Sequence, residues 1–303
     1  MPRHFLTLLD LSGPELSALL DRAREYKRLR GSPRHPYPLT GKSVAVVMEK
    51  ASTRTRISFE VGIHELGGHA LLASGKDLQL GRDEPLDDTA RVLSRYVHAV
   101  VLRTFGHDRI ETLAAASQVP IINALTDKFH PCQLLADLMT VREHCSVAWP
   151  ELRVAWIGDG NNMAHSWILA CAQLGFELRL ACPDAYRPAQ DVLDGARALG
   201  GRVSVGSDVM AAARGAHVVT TDVWASMGQE SEAVSRRAAF RAFCVTEAVM
   251  ALAAPAAIFL HCLPAHRGEE VVAEVIDGPA SRVWDEAENR LHAQKALLEL
   301  LVR

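Results

Sequence analysis

The sequence predicts an α/β protein of two domains, each a parallel β-sheet flanked by helices, and three observations carry that expectation. The 303 residues exceed what a single hydrophobic core usually organises. Short apolar runs alternate with helix-like segments along the whole chain, the rhythm of strands joined by helical crossovers. That rhythm breaks once, at Trp149-Pro150, and then resumes, which puts a domain boundary near residues 146–151. In such sheets ligands collect at the carboxyl ends of the strands, so the site is expected in a cleft between the domains.

The first expected element is a helix over 13–30, with Ser12 and Glu15 as a capping box and Gly31 as the stop. A proline-rich loop at 34–41 feeds the strand 43–49, whose apolar run is Val44-Ala45-Val46-Val47-Met48. Over 53–66 two signals compete. Ile57, Phe59, Val61 and Ile63 alternate as in a strand, but Ser52 as cap and Gly67-Gly68 as stop favour a helix. Strands follow at 69–73, 98–102 and 119–122, with helices at 86–96, 107–117 and 131–145. In the second half, strands at 152–157, 177–181, 202–205, 216–220 and 256–260 are interleaved with helices at 163–174, 188–199 and 207–213. Residues 284–302 close the chain as an amphipathic helix, with Asp285, Glu286 and Glu288 early and Leu291, Leu297, Leu298 and Leu301 apolar.

Composition narrows the function class. A net charge of −3 without a long basic block gives no reason to expect nucleic acid or a membrane surface as partner, so a small molecule is the default. Residues 1–7 are followed by Asp10 and Glu15 rather than an apolar stretch, and the most apolar window, 248–260, is interrupted by Pro255. Neither a secretory signal nor a membrane span is expected, and the protein is expected to be cytoplasmic. The six cysteines lie far apart with no C-x-x-C pair, which favours free thiols over disulfides or a metal site.

The strand ends carry the chemistry. Ser52-Thr53-Arg54-Thr55-Arg56 opens a helix directly after a buried-type strand, so hydroxyls, the guanidinia of Arg54 and Arg56, and unpaired helix amides are expected to converge as a phosphate cradle. The spacing Arg-x-Arg alone is weak evidence, since it recurs at Arg22/Arg24 and Arg28/Arg30, where a solvated helix face explains it. Arg103 stands just past another strand. His130-Pro131-Cys132-Gln133 starts a helix and points an imidazole and an amide off it, or else is a capping histidine beside a buried cysteine; Cys132 itself is read as packing.

In the second half, Gly158-Asp159-Gly160-Asn161-Asn162-Met163 occupies the place of a dinucleotide fingerprint but has Met at its third glycine position, which argues against NAD. Two further loops, 222–230 and 261–268, also follow strands. Asp222 with Ser, Asn and backbone donors suits an α-amino acid, the carboxylate facing an ammonium.

Four motifs together resemble the ornithine carbamoyltransferases: Ser52-Thr53-Arg54-Thr55-Arg56, His130-Pro131-Cys132-Gln133, Asp222-Val223-Trp224-Ala225-Ser226-Met227-Gly228 and His261-Cys262-Leu263-Pro264. The first two are similar to carbamoyltransferases in general; the last two select the ornithine branch over the aspartate-using one. The resemblance implies a carbamoyl-phosphate-binding domain at 1–145, an ornithine-binding domain at 146–283, and a C-terminal helix, 284–303, returning to the first domain. It further implies a homotrimer with shared active sites and transfer from carbamoyl phosphate to L-ornithine in arginine biosynthesis, with no metal or organic cofactor.

By the same resemblance, carbamoyl phosphate would be held by Ser52, Thr53, Arg54, Thr55, Arg103, His130, Gln133 and Arg290, with Gln79 reaching into a neighbour's site. Many relatives have His where Gln79 stands. Cys262 and Leu263 would line the reacting end of that site, and ornithine would be held by Asn162, Asp222, Ser226 and the Met227 backbone. Arg103, His130 and Thr55 would donate to the carbonyl oxygen, while Asp222 and Cys262 are candidates to orient or deprotonate the attacking amine.

Overall fold

The computed structural model describes residues 2–75, 84–225 and 230–302. The chain forms two compact units, one running to Met139 and resuming at Glu288, the other spanning Thr140–Ala287. Among the described residues, no helix is long and apolar enough to cross a membrane.

The first unit opens with α1 (Gly13–Leu29), started by the expected capping box: Glu15 N donates to Ser12 Oγ, and the Glu15 carboxylate accepts from Ser12 N. Then come β1 (Ser43–Met48), α2 (Thr53–Glu65), β2 (His69–Ser74), α3 (Leu86–Tyr96), β3 (Ala99–Arg103), α4 (His107–Ala116), β4 (Ile121–Leu125) and α5 (Pro131–His144). The four strands are parallel in the order β2-β1-β3-β4. Central β3 is buried throughout, whereas edge strand β2 alternates, as expected of strands covered on both faces and of a sheet margin respectively. From β1 the chain crosses to one side for β2 and to the other for β3. The crevice beyond the ends of β1 and β3 is therefore the switch point of this sheet.

The ambiguous stretch after Ser52 is helix. Its buried positions are Thr55, Phe59, Gly62 and Ile63, a period near 3.6, while Ile57 is exposed, so the period-2 alternation follows residue type and not burial. Gly67, at φ +81°, ends it in a conformation that only glycine adopts readily.

The second unit contains β5 (Arg153–Ile157), α6 (Asn162–Leu174), β6 (Glu177–Ala181), α7 (Gln190–Ala198), β7 (Arg202–Gly206), α8 (Val209–Ala213), β8 (Val218–Thr221), α9 (Ala233–Phe240), α10 (Glu247–Met250), β9 (Ile258–His261) and α11 (Ala273–Ile276). Its five parallel strands run β7-β6-β5-β8-β9, which puts the switch point between β5 and β8. Helices α9, α10 and α11 were not anticipated: two of them are single turns, and Val234 on α9 is strongly exposed, so no apolar stripe announces them. Helix α12 (Val283–Leu301) starts in this unit and contributes its residues from Glu288 onward to the first.

Candidate active site

The first unit gathers cations at its switch point. Ser52 caps α2, its Oγ accepting from Thr55 N at 3.3 Å and donating to Thr55 Oγ1 at 3.1 Å. Thr55 is buried and receives two guanidinia: Arg290 Nη2 donates to its Oγ1 at 2.8 Å and Arg103 Nη1 at 3.5 Å. Arg103 is the last residue of β3 rather than the first after it, and Arg290 comes from α12; both are buried. Gln133, in the first turn of α5, presents its amide oxygen to Arg290 Nη1.

His130 stands at the start of α5. Burial, and then the charges of Arg290, Arg103 and Arg54, hold its pKa well below the ordinary imidazole range, so the ring is neutral at physiological pH. Three guanidinia around a buried neutral imidazole form a pocket that favours an anion.

Arg54 and Arg56 do not converge as the sequence suggested. Two residues on a helix differ by about 200° in direction, and here Arg54 is half-buried within range of His130 while Arg56 is exposed. The other two guanidinia that act on His130 are those of Arg103 and Arg290. Thr53 is exposed at the first position of α2, and Gln79 lies outside the described residues. Cys132 is packing: it is fully buried, its thiol donates to Asn123 O at 3.2 Å, and burial pushes its pKa up to about 12.

The second unit gathers a carboxylate at its own switch point. Asp222 follows β8, buried, with Oδ2 accepting from Asn161 Nδ2 at 2.8 Å and Oδ1 accepting from Val223 N at 2.8 Å and from Cys262 Sγ at 3.1 Å. Asn161 also caps α6, its Oδ1 accepting from Met163 N and Ala164 N. Asn162 is the first residue of α6, beside it and half-buried. Leu263 adopts φ +58°, and its N donates to His261 Nδ1 at 2.9 Å. Ser226 and Met227 lie outside the described residues.

The Gly158–Gly160 turn is spent on packing within the chain. A Cβ on Gly160 would lie 2.2 Å from Pro188 N, so this glycine admits the protein's own backbone rather than a pyrophosphate.

Comparison with known proteins follows the same division. Residues 3–143 match the model of the aspartate/ornithine carbamoyltransferase carbamoyl-P binding domain, and residues 150–301 that of the Asp/Orn binding domain. An ornithine carbamoyltransferase of Halorhodospira halophila is 60% identical over 99% of both chains. The chain belongs to the aspartate/ornithine carbamoyltransferase family, on its ornithine branch. Among solved structures, the ornithine carbamoyltransferase from Pyrococcus furiosus superposes with a TM-score of 0.94 at 47% identity, covering 99% of this chain and 97% of that one. The anabolic ornithine carbamoyltransferase from Campylobacter jejuni gives 0.93 at 41% identity, covering 99% and 98%.

Several polar residues of this carbamoyltransferase were invisible as site candidates in the sequence. Arg236, buried on α9, donates from Nη1 to Asp159 Oδ2 at 2.8 Å and to the Trp224 carbonyl at 2.9 Å. Burial outweighs the attraction of Arg236 and pushes Asp159 up to about 6. His261 is fully buried and uses both ring nitrogens, Nδ1 accepting from Leu263 N and Nε2 facing Glu270 Oε1 at 3.1 Å. Asp222, His261 and Cys262 bring potential ligand atoms within 4.8 Å of one another, but the imidazole lone pair is already engaged. Asn161 had a local signal, as the cap residue before α6. Asp159 and Arg236 had none as a pair, because they lie far apart in sequence.

Proposed function

We propose that the enzyme transfers the carbamoyl group of carbamoyl phosphate to the δ-amine of L-ornithine, giving L-citrulline and phosphate, as a cytoplasmic step of arginine biosynthesis. The observation that carries this reading is the pocket of Arg54, Arg103 and Arg290 around neutral His130, in a domain of the carbamoyl-P binding kind. The anabolic description of the Campylobacter jejuni relative supports the direction. Gln79 acts in the site of a neighbour within a homotrimer. No metal or organic cofactor is needed.

Each residue then has a role. Ser52, Thr53, Arg54 and the amides opening α2 hold the phosphate and neutralise it as it leaves. Thr55 Oγ1 already accepts from several donors, which leaves its own hydrogen for the carbamoyl oxygen. Arg103 and the single N–H of neutral His130 join it, and each donor aimed at developing oxyanion charge is worth about 3 kcal/mol. Gln133 and Arg290 fix the carbamoyl end, with Cys262 and Leu263 lining the reacting side.

Asn162, Asp222, Ser226 and the Met227 backbone hold the amino-acid end of ornithine. The δ-nitrogen lone pair forms the new C–N bond, the C–O bond to phosphate breaks, and the nitrogen sheds a proton. A primary amine with a pKa of about 10 is mostly protonated at neutral pH, so kcat/KM for ornithine should rise from neutral to alkaline pH.

The test is to incubate the protein with carbamoyl phosphate and, separately, ornithine, aspartate, putrescine and an N-acylated ornithine. Citrulline as the main product is expected. A different ureido product without citrulline would overturn the substrate assignment.

A further inference from the structure

One buried carboxylate in the first unit takes no part in the chemistry described above. Asp137 lies on α5 one turn beyond Gln133, with 1% of its surface exposed. A carboxylate is costly to bury unless its oxygens receive hydrogen bonds, and here Gln133 Nε2 donates to Asp137 Oδ1 at 2.8 Å. The other end of the same amide accepts from Arg290 Nη1, and Arg290 Nη2 in turn donates to Thr55 Oγ1 at 2.8 Å.

This sequence of bonds has only one polarity. A carboxylate can only accept and a guanidinium can only donate, so an amide between them has a single orientation that satisfies both. With Asp137 in place, the Gln133 oxygen must face Arg290. Without it the amide loses its anchor, and Arg290 loses the fixed acceptor that holds one fork of the guanidinium while the other reaches Thr55.

We infer that Asp137 is a positioning residue for the anion pocket: it orients the Gln133 amide, and through it the Arg290 guanidinium, without touching substrate. The inference rests on the carbamoyl phosphate reading of that pocket. It also explains why a buried acid sits on the helix that carries His130: its acceptor oxygen is needed one residue removed from the ligand, where it fixes the Gln133 amide and so Arg290 without competing with the phosphate.

The test is a double-mutant cycle with Asp137→Leu, Gln133→Leu and the pair, plus Asp137→Asn as the conservative variant. KM for each substrate, kcat and thermal melting are measured on all of them. Loss of a hydrogen bond to a charged group should raise KM for carbamoyl phosphate about tenfold in Asp137→Leu, with KM for ornithine changed less than about twofold. Asp137→Asn keeps an oxygen that can accept from Gln133 and should return KM to within about threefold of the parent.

In the Gln133→Leu background, adding Asp137→Leu should cost nothing further, because the effect travels through the amide. Should the leucine variant fail to melt cooperatively, Asp137→Ala carries the same expectations. Additive effects, an equal rise in both KM values, or no rescue by asparagine would overturn the inference while leaving the pocket assignment intact. If Gln133→Leu alone leaves KM for carbamoyl phosphate unchanged, the reading of Gln133 itself fails and the inference falls with it.

Discussion

The two switch points of this molecule are built on opposite electrostatic plans. In the first unit, burial and then the charges of Arg290, Arg103 and Arg54 keep His130 neutral. In the second, Asp222 already accepts hydrogen bonds from Asn161, Val223 and Cys262. The first site is a cluster of like charges held together by the fold and relieved by an anionic ligand; the second is a single charge solvated by the protein before any ligand arrives. Ligand-dependent stabilisation should therefore be concentrated in the first.

That contrast can be broken by experiment, and the largest expected effect is catalytic. On the proposed mechanism Arg103→Ala removes a donor to the developing oxyanion, and kcat/KM should fall by about a hundred- to a thousandfold. Steady-state kinetics near the parent value would remove Arg103 from the reaction. Next, inorganic phosphate at about a hundred times its Kd should add about 2.7 kcal/mol to stability, whereas ornithine alone at the same concentration should add clearly less. Thermal melts showing equal stabilisation by both would erase the contrast.

A smaller effect is expected from Asp222→Asn. It should raise KM for ornithine by about ten- to a hundredfold and leave KM for carbamoyl phosphate near the parent value. A rise confined to carbamoyl phosphate would reverse the assignment of the two units.

The smallest effect concerns pH. The folded-state pKa of His130 is lowered, so below about pH 6.5 the unfolded chain takes up a proton that the folded one refuses. Stability contributed by the neutral ring is present above that pH and is lost as pH falls from it towards the folded pKa. The slope from one such group is at most about 1.4 kcal/mol per pH unit. Urea denaturation between pH 7 and 5 should show a shallower loss in His130→Asn than in the parent; identical slopes would mean the ring titrates normally.

Legibility in the sequence tracked the range of the interaction. The strand-turn-helix rhythm and the cap at Ser52 are local and were readable, and residue types at strand ends were enough to mark Arg103, His130 and Asp222. The pairing of Arg54 with Arg56 was misread because sequence proximity was taken for convergence, while helix geometry sends neighbours two apart to nearly opposite sides. The guanidinia that act on His130 together with Arg54 come from β3 and from α12. The Asp159–Arg236 pair left no trace, since its meaning depends on what the fold brings opposite. Helices α9–α11 were missed for a related reason: they are short and carry little apolar patterning.

The division of labour between the units is tested most directly by titrating carbamoyl phosphate, without ornithine, into Arg54→Ala and Asp222→Asn in a calorimeter. On the proposed reading the Arg54 variant should lose most of the binding seen in the parent, because a charged phosphate partner is gone, and the Asp222 variant should bind with parental affinity. Parental binding in Arg54→Ala, or its loss in Asp222→Asn, would contradict the account.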